Sequence, residues 1–290
     1  MVCAAPETNA VPTLAKCTEA DAIGTPDAAR HQYGRRMPQT SELVHLAVEA
    51  GIATITLDSP ANRNALSAQL RGELLDVLRR TAGDDAARVV VLTHTGPVFC
   101  SGMDLRESRD AGMENQGVNE FPAILEQLWT HPKPVIARPG GVGMVAAADI
   151  AIAVEEATFA FNEVRIGIVP AVISVTVLPR LLSRPAHELF LTGETFDAPH
   201  AAAVGLLNAA VPAAELDAEV ARYTGMLMMG APEALALTKQ MLRRTPAPTM
   251  AEDFAAMREL SAARFASEEG QEGIRAFAEK RLPSWVPAEG

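Results

Sequence analysis

Hydrophobic and polar positions alternate along the first part of the chain in the way that strands and helices do. The segment from Leu43 to Pro60 shows the short alternation of two strands, with Gly51 between them. In the segment that follows, residues 67–81, leucines recur at helical spacing. The pattern therefore predicts two strands and then an amphipathic helix.

Strand and helix patterns continue to alternate as far as Pro170. The segments predicted there are a buried strand at 87–93, a short helix at 121–131, a strand at 133–138 and a strand pair at 149–161 with Glu155 and Glu156 at its turn. Beyond Pro170 the pattern is mostly helical and ends in a long stretch from Met250 to Lys280. We expect an α/β core followed by a helical C-terminal part.

The first forty residues differ from the rest of the chain. They are rich in Ala, Pro and Thr and have no sustained period, which predicts a disordered tail at 1–40. Met37 lies just before the first patterned segment, so a biological start there is a hypothesis that N-terminal analysis of the native protein tests. The predicted core then covers 41–230 and the C-terminal helical region 231–290.

Composition narrows the classes of function. The net charge of −11 argues against a basic surface that follows phosphates, so nucleic acid is not an expected partner, although one or two cations would suffice for a small phosphorylated ligand. Cys3, Cys17 and Cys100 have neither CxxC nor metal-ligand spacing, which favours a reducing compartment and predicts no metal site. Without a membrane-length apolar run or a signal-peptide pattern, we expect a cytoplasmic protein that does not bind membranes.

Two loops follow predicted buried strands and lead into predicted helices. They are "THTGPVFCSGMDL" and "RPGGVGM", and the second places Gly140, Gly141 and Gly143 within four residues. Unpaired backbone N–H groups and the positive end of a helix dipole favour an oxygen that carries negative charge. Glycine lets a ligand approach the backbone closely, but the same glycines would also serve a tight turn and close helix packing.

These motifs, in their order and spacing, resemble the enoyl-CoA hydratase/isomerase (crotonase) superfamily. The resemblance extends from about Leu43 to Trp285. The segments that carry it are "ITLDSPANRNALS", "RVVVLTHTGPVFCSGMDL", "KPVIA", "GGVGMVAAADIAIA", "ATFAFNEVRIGIVPAVIS", "LTGETFDAPHAAAVGLLNAAVP" and "EKRLPSW".

The resemblance implies a fold and a substrate class. The fold would be a crotonase-like core of repeated ββα turns with a C-terminal helical region that trimerises, giving a homotrimer or a hexamer built as a dimer of trimers. The substrate would be an acyl-CoA thioester, with coenzyme A present only as part of the substrate and no separate cofactor.

The resemblance also implies site residues. The backbone N–H groups of Met103 and Gly140 would form an oxyanion hole for the thioester oxygen, and Glu163 would be the catalytic carboxylate. A fixed donor favours the enolate of the transition state over the ground-state carbonyl and is typically worth about 3 kcal/mol. Substrate-binding positions implied by the resemblance are Gly141, Gly143, Ala65, Asp104, Arg106 and Lys280.

Arg106 and Lys280 would meet the phosphates or the adenine end of coenzyme A, with Arg281 as a further candidate. Alternatively, each of these charged side chains is an ordinary solvated surface group that binds no ligand. His94 stands where the family usually has a small residue and is a candidate for substrate contact, whereas Cys100 and Asp104 would fix the loop. The segment 109–120 is predicted to be a mobile loop over the acyl pocket.

The sequence departs from the family pattern twice. Only Arg138 and Pro139 separate "KPVIA" from the glycines, where the family has about six residues more. Either the connection is truncated in this protein or the sequence lacks residues at this point, and a shorter loop puts the aim of the Gly140 N–H in doubt. In addition, Gly143 occupies the place of one of two glutamates that hydratases of the family commonly carry.

With Glu163 as the remaining acid, three functions are open. Hydration of a 2-enoyl-CoA is our preferred prediction, because "EVRIGIVPAVIS" resembles members regarded as single-acid hydratases. Isomerisation of a 3-enoyl-CoA needs only one base that moves one proton, so the loss of an acid favours it mechanistically. A scaffold that binds acyl-CoA or a partner without turnover is the third. In an apolar pocket the carboxylate's pKa should move toward the range useful for proton transfer.

Overall fold

A computed structural model describes residues 41–104, 107, 120–138 and 142–287 of the chain. The predicted tail at 1–40 lies outside the described residues. A six-stranded sheet in the order β1-β2-β3-β4-β5-β8 forms the centre, and β6 and β7 form a separate two-stranded sheet. The strands are β1 (Val44–Glu49), β2 (Ile52–Leu57), β3 (Val89–His94), β4 (Val135–Ala137), β5 (Ile150–Val154), β6 (Thr158–Phe159), β7 (Phe196–Asp197) and β8 (Ala209–Val211).

The two predicted strands around Gly51 are confirmed as the antiparallel hairpin β1–β2. Ala50 and Gly51 connect them with φ values of 48° and 83°. Two consecutive positive φ values are typical of the tight turn that matches the twist of a hairpin. From β2 to β8 all neighbouring strands are parallel, so their carboxyl ends lie at one edge of the sheet.

Helices surround the sheet. They are α1 (Ala68–Gly83), α2 (Glu120–Thr130), α3 (Val142–Ala147), α4 (Ala171–Val177), α5 (Ser183–Thr192), α6 (Ala198–Ala203), α7 (Leu216–Met228), α8 (Pro232–Arg243), α9 (Met250–Ala266) and α10 (Glu268–Glu279). The helices predicted at 67–81 and 121–131 are confirmed as α1 and α2, and the mostly helical character after Pro170 is confirmed as well. Ser67 begins α1, because its hydroxyl accepts a hydrogen bond from the Leu70 N–H.

One detail of the prediction was wrong, and two features of the C-terminal part were not predicted. The strands predicted as a pair at 149–161 are β5 and β6, but both edges of β5 are occupied by β4 and β8, so β6 pairs with β7 instead. The mostly helical part also contains β7 and β8, whose two and three residues are too short to show a period. The long final stretch is two helices, since Ser267 leaves the helical conformation and caps α10 by accepting from the Gly270 N–H.

Two hydrophobic cores cover the two faces of the sheet. The larger core lies on the face of α1, α2, α3 and α4, and it includes Val90, Leu92 and Ala137. The smaller core packs Val91 and Ile136 against α7. Because both faces are buried, β3 begins with the continuous apolar run "VVVL" rather than an alternating pattern.

Arg88, which directly precedes β3, connects the C-terminal part of the chain to the sheet by hydrogen bonds. Its guanidinium donates to the carbonyl oxygens of Met228 at 2.9 Å and Gly230 at 2.8 Å, and also to that of Trp285. The predicted boundary at 230/231 falls between α7 and α8, and it stays a prediction. No helix within the described ranges is long and apolar enough to cross a membrane.

Candidate active site

A cavity of about 950 Å³ opens at the edge of the sheet where the parallel strands end. It is lined by residues that follow β3, by the first turn of α3 and by the short 3₁₀ helix Asn162–Ile166, which comes after β6. Met103, Gly143 and Glu163 all line it, so the structure brings together three residues that the sequence analysis singled out. The carboxyl ends of strands in open α/β sheets are the usual place for ligands.

Met103 directly follows a backbone turn at Gly102. Gly102 has a φ of 95°, which favours glycine, and its carbonyl accepts a hydrogen bond from the Leu66 N–H at 2.9 Å. Within the described part of the chain, the Met103 N–H has no hydrogen-bond partner. It is therefore available to a ligand oxygen, as the predicted oxyanion role requires.

Cys100 supports this turn by packing. Its thiol is buried and lies 3.4 Å from the Gly102 N–H. Burial raises the pKa of the Cys100 thiol to about 11, although the Gly102 N–H opposes the shift. The thiol therefore stays protonated near neutral pH and is not a nucleophile.

Gly143 lies in the first turn of α3 and is buried, whereas Gly140 and Gly141 lie outside the described residues. A Cβ placed on Gly143 would approach Ile173 Cγ2 to 2.9 Å and Phe121 Cζ to 3.2 Å. A glutamate here would need one or both neighbours to move. The place of the missing acid is therefore filled by an apolar wall.

Glu163 is positioned by the 3₁₀ helix that follows β6. Its backbone carbonyl accepts from the Ile168 N–H at 3.1 Å, which fixes the main chain of this segment. The side chain is partly buried and lines the cavity, and its carboxylate has no hydrogen-bond or ion-pair partner among the residues described. The carboxylate is thus free to exchange a proton with a ligand.

His94 lines the same cavity at the end of β3. Its ring packs edge-on against Phe99 with 5.5 Å between the ring centroids, and its Nδ1 is buried without a hydrogen-bond partner. Burial lowers the pKa of His94, and the positive charge of Arg138 lowers it further. The imidazole is therefore neutral at neutral pH, and its contact with substrate stays a prediction.

The other predicted positions are spread more widely. Ala65 is buried next to Leu66, and Asp104 accepts from the Glu107 N–H at 3.2 Å; neither lines the cavity. Lys280 is exposed at the end of α10, also away from the cavity of its own chain. Arg106 and the predicted loop 109–120 lie outside the described residues, except for Glu120, which begins α2.

Several cavity residues were not singled out from the sequence, and three of them bear on the chemistry of the site. Phe121 and Ile173 fill the space at Gly143, and Arg138 lines the cavity at the end of β4. The replacement of an acid by glycine was a signal that apolar side chains had taken the space. Arg138 was visible as a cation two positions before Gly140.

Arg180 holds the C-terminal end of α3, the helix that carries Gly143. It donates to the carbonyl oxygens of Ala146 at 3.0 Å and Ala148 at 2.7 Å, and its guanidinium stacks over the Trp129 ring at 4.8 Å. A cation at a helix C-terminus satisfies orphan carbonyls and complements the helix dipole. The contacts therefore fix the axis of α3 relative to α2.

Asp149 connects this region to α8. Its carboxylate accepts from the Val135 N–H at 2.8 Å and from Lys239 Nζ at 2.7 Å, and it also pairs with Arg243. Burial lowers the pKa of Lys239 to about 8 against the opposing effect of Asp149. One carboxylate thus holds two α8 cations beside the start of β4.

Within the described ranges, no group of three or more His, Cys, Asp and Glu side chains could hold a metal ion. The expectation that no metal takes part stays a prediction.

Comparison with known proteins places these features in a family. A family model described as enoyl-CoA hydratase/isomerase matches residues 47–287. A carnitinyl-CoA dehydratase of Proteus mirabilis is 33% identical over 260 residues, which are 84% of this chain and 98% of the relative.

Solved structures agree in fold. An enoyl-CoA hydratase of Shewanella pealeana has a TM-score of 0.77 at 29% identity, with 84% of this chain and 96% of that chain covered. An enoyl-CoA hydratase of Mycobacterium avium is 39% identical with a TM-score of 0.64, and 85% of this chain and 100% of that chain are covered.

Proposed function

Because this chain belongs to the enoyl-CoA hydratase/isomerase family, we propose that it is an enoyl-CoA hydratase that adds water to a 2-enoyl-CoA. The crotonase-like α/β fold expected from the sequence is confirmed by the solved relatives. Enzymes of this family act on acyl-CoA thioesters. The particular reaction, the site roles and the acyl group are our proposals.

In the proposed reaction Glu163 first accepts a proton and then donates it. The carboxylate takes a proton from water as the water oxygen bonds to C3, the double bond between C2 and C3 opens, and negative charge develops on the thioester oxygen. The N–H groups of Met103 and Gly140 stabilise that oxygen. Protonated Glu163 then delivers its proton to C2, so the net change is the addition of one water molecule.

One observation carries the proposal: the Glu163 carboxylate lines the cavity together with Met103 and has no protein partner in the described chain. A carboxylate committed to a structural ion pair would be held in its charged form and would exchange protons poorly. Met103 presents an N–H that is likewise unpaired among described residues. Two of the three groups that the proposed chemistry uses, the Glu163 carboxylate and the Met103 N–H, are therefore unpaired among the described residues and line one cavity.

The test is to follow the reaction of a 2-enoyl-CoA and of a 3-enoyl-CoA side by side, with the double bond as the only difference between them. The proposal predicts that absorbance of the conjugated 2-enoyl thioester falls as the 3-hydroxyacyl product forms. Conversion of the 3-enoyl substrate without hydration of the 2-enoyl substrate would overturn it. Binding of both thioesters without any product would establish the non-catalytic alternative instead.

Isomerisation is the second candidate, and the apolar wall at Gly143 favours it. Glu163 would take a proton from C2 of a 3-enoyl-CoA and return it to C4, which moves the double bond to C2. This reaction needs no bound water. Ile173 and Phe121, which contact the Gly143 position, would suit a dry site.

We retain three further proposals from the sequence. The chain would assemble into a homotrimer or hexamer, since α9 has no buried residue in the described chain. It would need no cofactor other than the coenzyme A of its substrate. Its location would be cytoplasmic, as the cysteine pattern suggests.

A further inference from the structure

The cavity extends across the edge of the sheet to both of its faces. Its α3 side is lined by residues that belong to the larger core or pack on it, namely Leu66, Phe99, Met103, Phe121, Met144 and Ile173. Its α7 side is lined by Thr93, Arg138, Val154, Glu156, Ala213 and Leu216. The α7 side lies beside the smaller core, to which Leu216 belongs and on which Val154 packs.

The direction of Arg138 follows from the alternation of side chains along a strand. Ala137 belongs to the larger core and Ile136 to the smaller one. Arg138 therefore continues on the side of Ile136, which faces α7. Its ion pair with Asp217 of α7, at 2.6 Å, agrees with that direction.

The pair between Arg138 and Asp217 is weak enough to be exchanged. The Arg138 side chain is 34% exposed and the Asp217 side chain 81% exposed, and exposed ion pairs contribute little because water competes for both charges. Glu156, the other charged residue of the α7 side, is exposed and has no ion-pair partner in the described part of the chain. The guanidinium is therefore available to a better-placed anion.

The two sides of the cavity differ in chemistry. The six residues named for the α3 side are apolar, and Ile173 and Phe121 leave little room at Gly143. The α7 side offers a planar guanidinium, which matches the two oxygens of a carboxylate. Its charge reaches His94 on the adjacent strand, whose pKa it lowers.

We propose that the α7 side of the cavity is a subsite for a carboxylate on the acyl group, with Arg138 as the residue that selects carboxylated enoyl-CoA substrates. This inference rests on the proposed function, because it names the substrate class of the same site. An acyl chain held at Met103 and Glu163 would extend past the strand ends and place its distal carboxylate on Arg138 in exchange for Asp217.

The test compares two substrates of equal chain length, glutaconyl-CoA and 2-pentenoyl-CoA, which differ in the terminal carboxylate. Wild-type protein should prefer glutaconyl-CoA in kcat/KM by about 10-fold to 100-fold, the range expected for a charged hydrogen-bonded contact. Arg138→Met should lose this preference, because its kcat/KM should fall for glutaconyl-CoA and stay unchanged for 2-pentenoyl-CoA. Arg138→Lys should keep part of the preference. Asp217→Asn, the matched control, should preserve or increase it.

Two results would overturn the inference. If Arg138→Met lowered kcat/KM equally for both substrates, the guanidinium would contact the coenzyme A part that the two substrates share. Equal kcat/KM values in wild-type protein would mean that no carboxylate subsite exists.

A binding measurement separates this inference from the proposed function. Glutaryl-CoA and valeryl-CoA cannot be hydrated, so their affinities can be measured by calorimetry whether or not the protein is an enzyme. Tighter binding of glutaryl-CoA that disappears in Arg138→Met supports the subsite. Equal binding of the two refutes the subsite alone, and binding of neither refutes the proposed function together with it.

Discussion

Gly143 is crowded, whereas Gly72, in the exposed part of α1, has nothing within 4 Å of the position of an added Cβ. The same change to alanine should therefore have opposite effects. Gly72→Ala should stabilise the protein by about 0.5–1 kcal/mol, because alanine has the better helix propensity. Gly143→Ala should lower the free energy of unfolding by about 1 kcal/mol, because the new methyl group meets Ile173 and Phe121.

Denaturant unfolding of both variants measures this difference. A double-mutant cycle supplies the control: in an Ile173→Ala background, Gly143→Ala should cost less than in wild-type protein. If Gly143→Ala stabilised the protein as much as Gly72→Ala, Ile173 and Phe121 would not crowd the Gly143 position.

The sequence identified Glu163 and Met103 as site candidates, since both stand in motifs with a recognisable order. It did not identify Phe121 and Ile173, although both are apolar and lie close to motif residues. Their role depends on contacts with Gly143 across 22 and 30 positions of the chain, which no periodicity shows. Arg138 was seen only as part of a short loop, because the face to which it points depends on strand register.

His131 links α2 to the end of α1 and should make stability depend on pH. It is buried, its Nε2 lies 3.3 Å from the Thr81 hydroxyl, and burial, followed by the charge of Lys239, lowers its pKa to about 4. In the unfolded chain the pKa should be about 6.5, so the unfolded state binds more protons between these values. Stability should therefore fall as the pH drops from about 6.5 to 4, by up to about 3 kcal/mol.

Urea unfolding at several pH values checks this prediction, with His131→Asn as the reference that removes the titrating group while keeping a polar side chain. The two proteins should differ in how steeply the free energy of unfolding depends on pH. This difference gives the contribution of His131 without that of the carboxylates. Parallel pH profiles would mean that the imidazole is not held neutral in the folded state.

Asp149 forms ion pairs with both Lys239 and Arg243, and Arg180 lies close by. Asp149→Asn should lower the free energy of unfolding by about 3 kcal/mol or more, because it leaves buried cations without compensation. Lys239→Met should cost less, since Arg243 still pairs with the carboxylate. Thermal or denaturant unfolding of the two variants ranks them, and the reverse order would contradict this account of the network.

The elements themselves were largely predictable. Helices such as α1 and strands such as β3 are long enough to show their periods in the sequence. The pairing of β6 with β7 was not predictable, because it depends on β4 and β8 having already occupied both edges of β5. Such competition for edges is a property of the assembled sheet and leaves no local signal.

The C-terminal helices expose several large apolar side chains. Phe254 and Phe265 of α9 are 69% and 65% exposed, and Phe277 of α10 is 87% exposed. A large apolar surface of this kind is typical of a protein interface. We therefore expect sedimentation at micromolar concentration to give a trimer or hexamer of the 30.7 kDa chain, and a monomer would contradict the proposed assembly.

The fold of the described part of the chain could be anticipated because many motifs agreed in order along most of the sequence. The reaction could not be settled in the same way, since hydration and isomerisation use the same Glu163 and the same thioester oxygen. They differ in whether water can reach C3, which depends on the shape of the cavity rather than on any one motif.

In the proposed reaction Glu163 transfers the proton, and Glu163→Gln removes this ability. Glutamine keeps nearly the same volume but cannot exchange a proton near neutral pH, so hydration of a 2-enoyl-CoA should fall by about 100-fold to 10,000-fold. Acyl-CoA binding should survive. Glu156→Gln, which alters another carboxylate of the same cavity, should keep nearly full activity. Wild-type turnover in Glu163→Gln with intact binding would contradict the account.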